Sequence, residues 1–407
     1  MPQYIPDAAE EFADPYPGYR RLLADDPAQS EVFGGWIVSR YRDVSAGLRD
    51  HRFTTKNLTA ARLRNLPPGH EELVNAVIDR NSLSVAAHHP PEHTRKRALI
   101  SPRFLRNRVE PLAGSVQEVV DRLLEKVMAR GYMDVIGDFA GPLPLVIISR
   151  LVGVPDSDGP LMEAVADEAI ELSGRAQADI ASVQALLHSL ETFSTYAEGL
   201  IESHRRFPQD DLISDLLSQQ HAGDGFGDAE LIANAGMLVG AGHETTTKLI
   251  GTALLALLRH PTELRRLIDH PAMIETAIDE LLRFDAVVQT TVRLAQEDVE
   301  LAGRPICAGD ILTFVLGAAN RDAEQFPEPD RLDLARTPNR HLGFGMGTHA
   351  CLGAHVARLE MRIAIQTVIR RLKEIRLVDR GVAWDHNLTF RGPKKLLLEF
   401  RPASTVD

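Results

Sequence analysis

The sequence predicts a mainly helical chain with a minor β lobe, folded as one domain over residues 1–407. Three observations point there. Apolar residues recur at helical spacing around Val116 to Val127, Val183 to Ile201, Leu212 to Leu217 and Val356 to Leu372. Strand-like stretches are short and gather in two places, Gly35 to Ser39 near the start and Val299 to Val315 with Leu396 to Phe400 near the end. The β lobe is therefore assigned to segments of about 30–60 and 295–400. No fixed-period repeat, low-complexity tract or Gly/Ser linker separates these parts. A single fold of 407 residues buries an ample core without disulfide or metal staples.

Charge and cysteine usage narrow the function classes. The 45 Lys and Arg stand against 57 Asp and Glu, and the formal charge of -12 has the wrong sign for wrapping nucleic acid or lying on an anionic membrane. Neither is expected as a partner. Cys307 and Cys351 are the two cysteines, and neither stands in a CxxC, which argues against structural zinc and fits a reducing cytoplasm. Met1 to Pro6 shows no basic n-region and no apolar h-region, and no run of about 18 apolar residues occurs. A cytoplasmic protein is the expectation.

The most informative helix starts near Asp228, a candidate N-cap, and stops at His260-Pro261. From Ala233 to Leu257 it is apolar on nearly every face, as suits a helix crossing the middle of a large protein. Its centre nevertheless reads Gly240-Ala241-Gly242-His243-Glu244-Thr245-Thr246-Thr247. Two interior glycines cost about 1 kcal/mol each, threonines can bend a helix by bonding back to carbonyls, and a carboxylate there carries a desolvation penalty. So many local rules broken within one short stretch point to a functional site, with a helix kink and a surface acid as the plainer alternative.

The second anomaly is Phe344-Gly345-Met346-Gly347-Thr348-His349-Ala350-Cys351-Leu352-Gly353, followed by the amphipathic helix Ala354 to Leu372. A cysteine at a helix N-terminus is expected to favour the thiolate, through the orphan N–H groups and the positive dipole end. With no other cysteine nearby it cannot hold zinc or an iron–sulfur cluster alone, so a macrocycle with its own four nitrogens, haem, is the natural partner. A buried small hydrophobe is the ordinary alternative for a free cysteine. The run Gly345-x-Gly347-x-x-Ala350, with Glu374 as a ribose-binding acid, also matches a dinucleotide fingerprint, but lies near the C-terminus of a chain without alternating β and α units.

These residues carry a resemblance to the cytochrome P-450 haem-thiolate monooxygenases, whose haem signature FGxGxHxCxG is matched from Phe344 to Gly353 at every defined position. The resemblance runs from Asp14-Pro15-Tyr16-Pro17 to Arg391-Gly392 and implies a cytochrome P-450-like fold, with haem b between the central helix and the cysteine-loop helix. It implies Cys351 as the iron ligand, with Phe344, Gly345 and Gly353 shaping the loop, and His349 on a haem propionate. Ala241, Gly242, Glu244 and Thr245 fit the family's oxygen-activation motif, so Glu244 and Thr245 are the expected catalytic pair and Ala241 faces the haem. Glu280-Leu281-Leu282-Arg283 resembles the ExxR element, with Arg331 as the expected third member of its ion pair. By the same likeness His93, Arg97 and Arg293 join His349 around the propionates, as two buried carboxylates require cationic donors. His89 stands where the family usually has Asp, and Ala286-Val287 where it often has a proline pair.

The implied reaction is reductive activation of dioxygen with two electrons and two protons. Electrons are expected from an NAD(P)H-driven ferredoxin reductase and ferredoxin, the protein acting as a monomer. Arg95, Lys96, Arg97, Arg103, Arg106 and Arg108 put six bases in fourteen residues without an acid, and the outward members, with Arg358 and Arg362, are the expected docking face. The resemblance lines a substrate pocket with Leu83, Met237, Gly240, Val288, Thr290 and Leu388, which suits a small, mostly apolar natural product of secondary metabolism, with hydroxylation as the expected oxidation. Oxidative ring formation or coupling, a non-catalytic haem sensor or carrier, and a peroxygenase are the competing readings.

Overall fold

The computed structural model describes residues 9–30, 33–64, 66–174, 178–223, 225–378 and 382–403, so Met1 to Pro6 lie outside the described residues. One helix, Asp228–Arg259, runs through the middle. At 1.5 Å per residue its 32 residues span about 48 Å. Every residue from Thr246 to Leu257 is buried, because helices Pro142–Val152, Gly159–Ser173, Ile180–Arg206 and Ala354–Arg371 pack around it. The all-round apolar pattern thus reflects neighbours on every side. Two buried hydroxyls are satisfied inside the helix: Thr247 donates to the His243 carbonyl at 3.0 Å and Thr252 to that of Lys248 at 2.8 Å. Gly242 has a packing reason, since a Cβ there would lie 2.7 Å from Cγ1 of Ile148. Asp228 is not the N-cap; Gly227 is, its N–H bonded to the Glu230 carboxylate at 3.0 Å. Asp228 instead occupies the first helical position, where Arg205 and Gln220 donate to it at 2.5 and 2.9 Å.

The main sheet has five strands in the order Ala28–Ser30, Gly35–Val38, Ile311–Val315, Thr290–Ala295, Phe53–Thr54. Gly35–Val38 and Ile311–Val315 run parallel and the other neighbours antiparallel. The register sets Arg293 opposite Leu312 on an inner strand, where its side chain is buried. The C-terminal strand Leu397–Pro402 belongs to a different sheet, between Leu372–Leu377 and Tyr132–Asp134. Tyr132–Asp134 carries no sequence signal, since three residues are too few for an alternating pattern. Among the described residues only Val135–Val152 has the length and hydropathy of a membrane span, and 67% of it is buried inside the protein.

The approach to the cysteine loop is tied down by a buried charge network. Glu280 and Arg283, on helix Ile274–Phe284, are 0% and 1% exposed. The Glu280 carboxylate accepts from Arg283 at 2.7 and 2.8 Å, from Arg336 Nε at 3.1 Å, from Asn339 Nδ2 at 3.1 Å and from the Asp333 N–H at 3.0 Å. Arg283 in turn donates to the carbonyls of Asn320, Pro329 and Arg331 at 2.9, 2.9 and 3.2 Å. The third side chain is therefore Arg336, a correction to the expected Arg331. Arg331 gives only its carbonyl to the network; its guanidinium turns to the surface and pairs with Glu328 at 2.8 Å. A turn closed by the Arg336 N–H on the Asp333 carbonyl at 2.9 Å precedes the side chain that reaches Glu280, a placement that the resemblance at Arg331 does not encode.

Removing one partner of a buried charge network costs about 3 kcal/mol or more, whereas truncating an exposed arginine costs little. Arg336→Ala is expected to lower the urea midpoint of unfolding clearly and Arg331→Ala to leave it unchanged; the reverse order would restore Arg331.

Candidate functional site

The cysteine loop is built by backbone bonds. Asn320 Oδ1 accepts from the Leu342 N–H at 2.7 Å, Gly345 N–H donates to the Leu342 carbonyl at 2.8 Å, and Cys351 N–H donates to the Phe344 carbonyl at 2.8 Å. Gly347, at φ +73°, sits where a Cβ would come within 2.2 Å of the Leu48 carbonyl oxygen. Phe344 lies under the Arg358 guanidinium, 4.5 Å from its ring centre. Gly353 caps helix Ala354–Arg371 and has no atom within 4 Å of the position a Cβ would take, so this site opens onto empty space.

Cys351 has exposed surface, yet burial pushes its thiol up from the ordinary value. Both hold for a side chain facing an interior void. The Gly353 N–H and the guanidinium groups of Arg97 and Arg358 act in the opposite direction without prevailing. The helix end acts in the expected direction through the Gly353 N–H, but burial outweighs it; a metal cation on the sulfur would favour the thiolate further.

Beside the cysteine stand four bases from three segments. His93 and Arg97 lie on helix Glu92–Ile100, Arg293 on the inner strand and His349 in the loop. The rings of His93 and His349 are 4.4 Å apart. Arg97 donates to the carbonyls of Thr348 and Ala350 at 3.3 and 2.7 Å, and Thr55, which carries no sequence signal, places its hydroxyl 3.3 Å from His349 Nε2. Burial pushes His93 down to about 4 and His349 down to about 3, with the neighbouring cations adding to both. Burial alone brings Arg293 down to about 10. His93 Nδ1 is buried without a partner. Buried bases drawn together without an acid are costly unless an anion joins them, and the two carboxylates of a haem fit that demand. The residues present therefore fit haem: Cys351 for the iron and these four for the propionates.

On the central helix Ala241 is exposed although the helix around it is not, so it too faces a void. Thr245 donates its hydroxyl to the Ala241 carbonyl at 2.7 Å, leaving the oxygen lone pairs as acceptors. Glu244 is held by Lys248, one turn on, at 2.9 Å, and Lys248 also pairs with Asp385, which Lys394 meets from the surface at 3.4 Å. Burial would lower the Lys248 pKa, but the two carboxylates overcome it and raise it. Lys248 was findable in the sequence, as a base four residues after Glu244 on one helix face. Asp385 was not, since only folding brings it near.

Of the expected pocket residues, Leu83, Met237 and Gly240 are partly buried, and the Leu83 carbonyl accepts from Asn234 of the central helix at 3.3 Å. Thr290 and Leu388 adjoin, the Thr290 hydroxyl lying 3.3 Å from the Leu388 carbonyl, and both line a small void with Tyr19 and Arg391. Val288 is bridged to Phe390. Glu374 pairs with Arg401 within an antiparallel strand pair, which removes the dinucleotide alternative. The basic run splits. Lys96 is buried against Glu230 at 2.8 Å, and Arg103 is held by Asp210 and Asp215 at 2.7 Å each. Arg358 and Arg362 are paired with Asp279 and Glu110 at 2.8 and 2.5 Å. Lys96 and Arg103 are thus internal struts and not docking residues, a correction that follows from acids placed beside them by distant segments; Arg95, Arg106 and Arg108 remain exposed.

Comparison with known proteins agrees with this geometry. The family model "Cytochrome P450" matches residues 177–374. The chain is 33% identical over 406 residues to the "Polyketide biosynthesis cytochrome P450 PksS" of Bacillus subtilis (strain 168), covering 97% of each. It is 36% identical over 405 residues to the "Cytochrome P450 monooxygenase PikC" of Streptomyces venezuelae, covering 96% of this chain and 92% of that one. The crystal structure of P450BioI in complex with an acyl carrier protein ligated to hexadec-9Z-enoic acid matches with a TM-score of 0.90 at 33% identity, covering 97% of this chain and 100% of that one.

Lys248→Met strands two carboxylates in a poorly solvated place, and a loss of about 3 kcal/mol is expected on urea unfolding. The double variant Lys248→Met with Glu244→Gln should recover part of it; strictly additive losses would mean that the pair is not coupled.

Proposed function

The chain belongs to the cytochrome P450 family and is a haem-dependent monooxygenase, and on that premise we propose that it takes electrons from an external ferredoxin and its reductase to hydroxylate a mostly apolar natural-product intermediate, as a cytoplasmic monomer. The observation that carries the residue assignments is the group of two guanidinium groups and two imidazoles beside Cys351, a donor set that suits an anionic partner. Haem b, when bound, supplies the centre at which dioxygen is reduced, and thiolate ligation favours O–O cleavage.

The protein's own residues do the rest. Cys351 gives the thiolate, and His93, Arg97, Arg293 and His349 orient the cofactor by its carboxylates. Thr245, with its proton turned toward the Ala241 carbonyl, accepts a hydrogen bond on the open side of the helix. Glu244 hands protons inward, and Lys248 positions it, with Asp385 and Lys394 leading to the surface. Met237, Gly240 and Ala241 offer a small-residue, apolar wall to the substrate, with Leu83, Val288, Thr290 and Leu388 further round it. The Bacillus relative is named for polyketide biosynthesis, which supports a natural-product substrate here. The exposed Arg95, Arg106 and Arg108 form the docking face for an acidic ferredoxin.

Three outcomes follow. The dithionite-reduced protein with carbon monoxide should show the strongly red-shifted Soret band of thiolate-ligated haem, and Cys351→Ala should lose both band and turnover; retained oxygenation would refute the ligand assignment. Thr245→Ala should consume NAD(P)H with severalfold less product per reducing equivalent, and unchanged coupling would count against its role. Arg106→Glu with Arg108→Glu should raise severalfold the ferredoxin concentration for half-maximal turnover, most at low salt; no change would dismiss the surface.

A further inference from the structure

Between the central helix and helices Pro142–Val152 and Gly159–Ser173 lies a cavity of about 460 Å³. Among the described residues its wall carries Asp156, Glu163, Asp167 and Glu244 and no lysine or arginine. The one imidazole among the described residues of that wall is His243, which takes no part in the haem site. His243 is 2% exposed, and neither of its ring nitrogens makes a hydrogen bond of normal geometry. Such a buried, unpaired ring is expensive, and it turns toward carboxylates. Burial lowers its pKa, while Glu244, Glu163 and the Gly141 carbonyl favour its proton.

Ligand atoms of Asp167, His243 and Glu244 all lie within 4.8 Å of one another. Two come from adjacent positions on the central helix and the third from the facing helix Gly159–Ser173. One imidazole nitrogen with two carboxylates suits a divalent transition ion, zinc among them, better than calcium or magnesium, which prefer more oxygens. Lys248 engages Oε1 of Glu244, and a carboxylate has a second oxygen to offer. We propose that Asp167, His243 and Glu244 form a binding site for a divalent transition cation, completed by water, which clips helix Gly159–Ser173 to the central helix. The site shares Glu244 with the proton path proposed above, while Asp167 and His243 lie outside that path.

The test is equilibrium dialysis of the chelator-treated holoenzyme against Zn²⁺, with Cys307→Ser as background to remove an exposed thiol that also binds zinc. The expected result is one saturable zinc per chain, weakened at least tenfold in both Asp167→Asn and His243→Gln. Zinc should also raise the thermal midpoint of the background protein and leave that of Asp167→Asn unmoved. Asp167 is exposed, so Asp167→Asn decides the question even if His243→Gln fails to fold. No saturable zinc, or equal affinity in Asp167→Asn, would overturn the site.

Discussion

Much of this structure hangs on the buried pair of Glu280 and Arg283. Neither side chain touches solvent, and desolvating two charges is worthwhile only when nearly every lone pair and N–H is used. Here the carboxylate collects Arg283, Arg336, Asn339 and the Asp333 amide, while the guanidinium collects three carbonyls of the segment between Asn320 and Arg331. One helix thereby fixes a long stretch of irregular chain. That stretch ends at Leu342, whose N–H is held by Asn320, and the cysteine loop starts two residues later. The position of Cys351 is inherited from a charge pair that takes no part in the chemistry.

The cofactor site shows the opposite economy. Its bases are drawn from a helix, a strand and a loop, and burial depresses Arg293, His93 and His349 together. Left alone this arrangement opposes folding, and the haem carboxylates reverse its sign, so cofactor binding and stability are linked. Cys351 follows the same logic, with burial favouring the thiol until a cation arrives. On the distal side the central helix tolerates Gly242 because Ile148 fills the space, and tolerates Glu244 because Lys248 stands one turn away.

Charge patterns along a chain are weaker guides than charge patterns in space. Six bases in fourteen residues read as one surface. Folding brings Glu230 to Lys96 and two aspartates to Arg103, turning those members inward as struts and leaving Arg95, Arg106 and Arg108 outside. The same holds for Arg331 and Arg336, five residues apart, of which one reaches Glu280 and the other reaches solvent.

What the sequence determined by itself was whatever local spacing encodes: the long central helix with its costly Gly, Glu and Thr cluster, the glycine-bracketed cysteine before a helix, the helical majority, and the Glu280 and Arg283 pair one turn apart. The signature at Phe344 to Gly353 needs no partner to be legible, because its chemistry lies within ten residues. Only the tertiary structure decided which arginine joins Glu280, that Thr55 adjoins His349, that Asp385 stands behind Lys248, that Tyr132–Asp134 is a strand, and that the Cys351 thiol is not ionised by its helix alone. The physical reason is common to all five. Each depends on burial or on a partner far along the chain, and neither desolvation nor a long-range contact leaves a mark on local spacing.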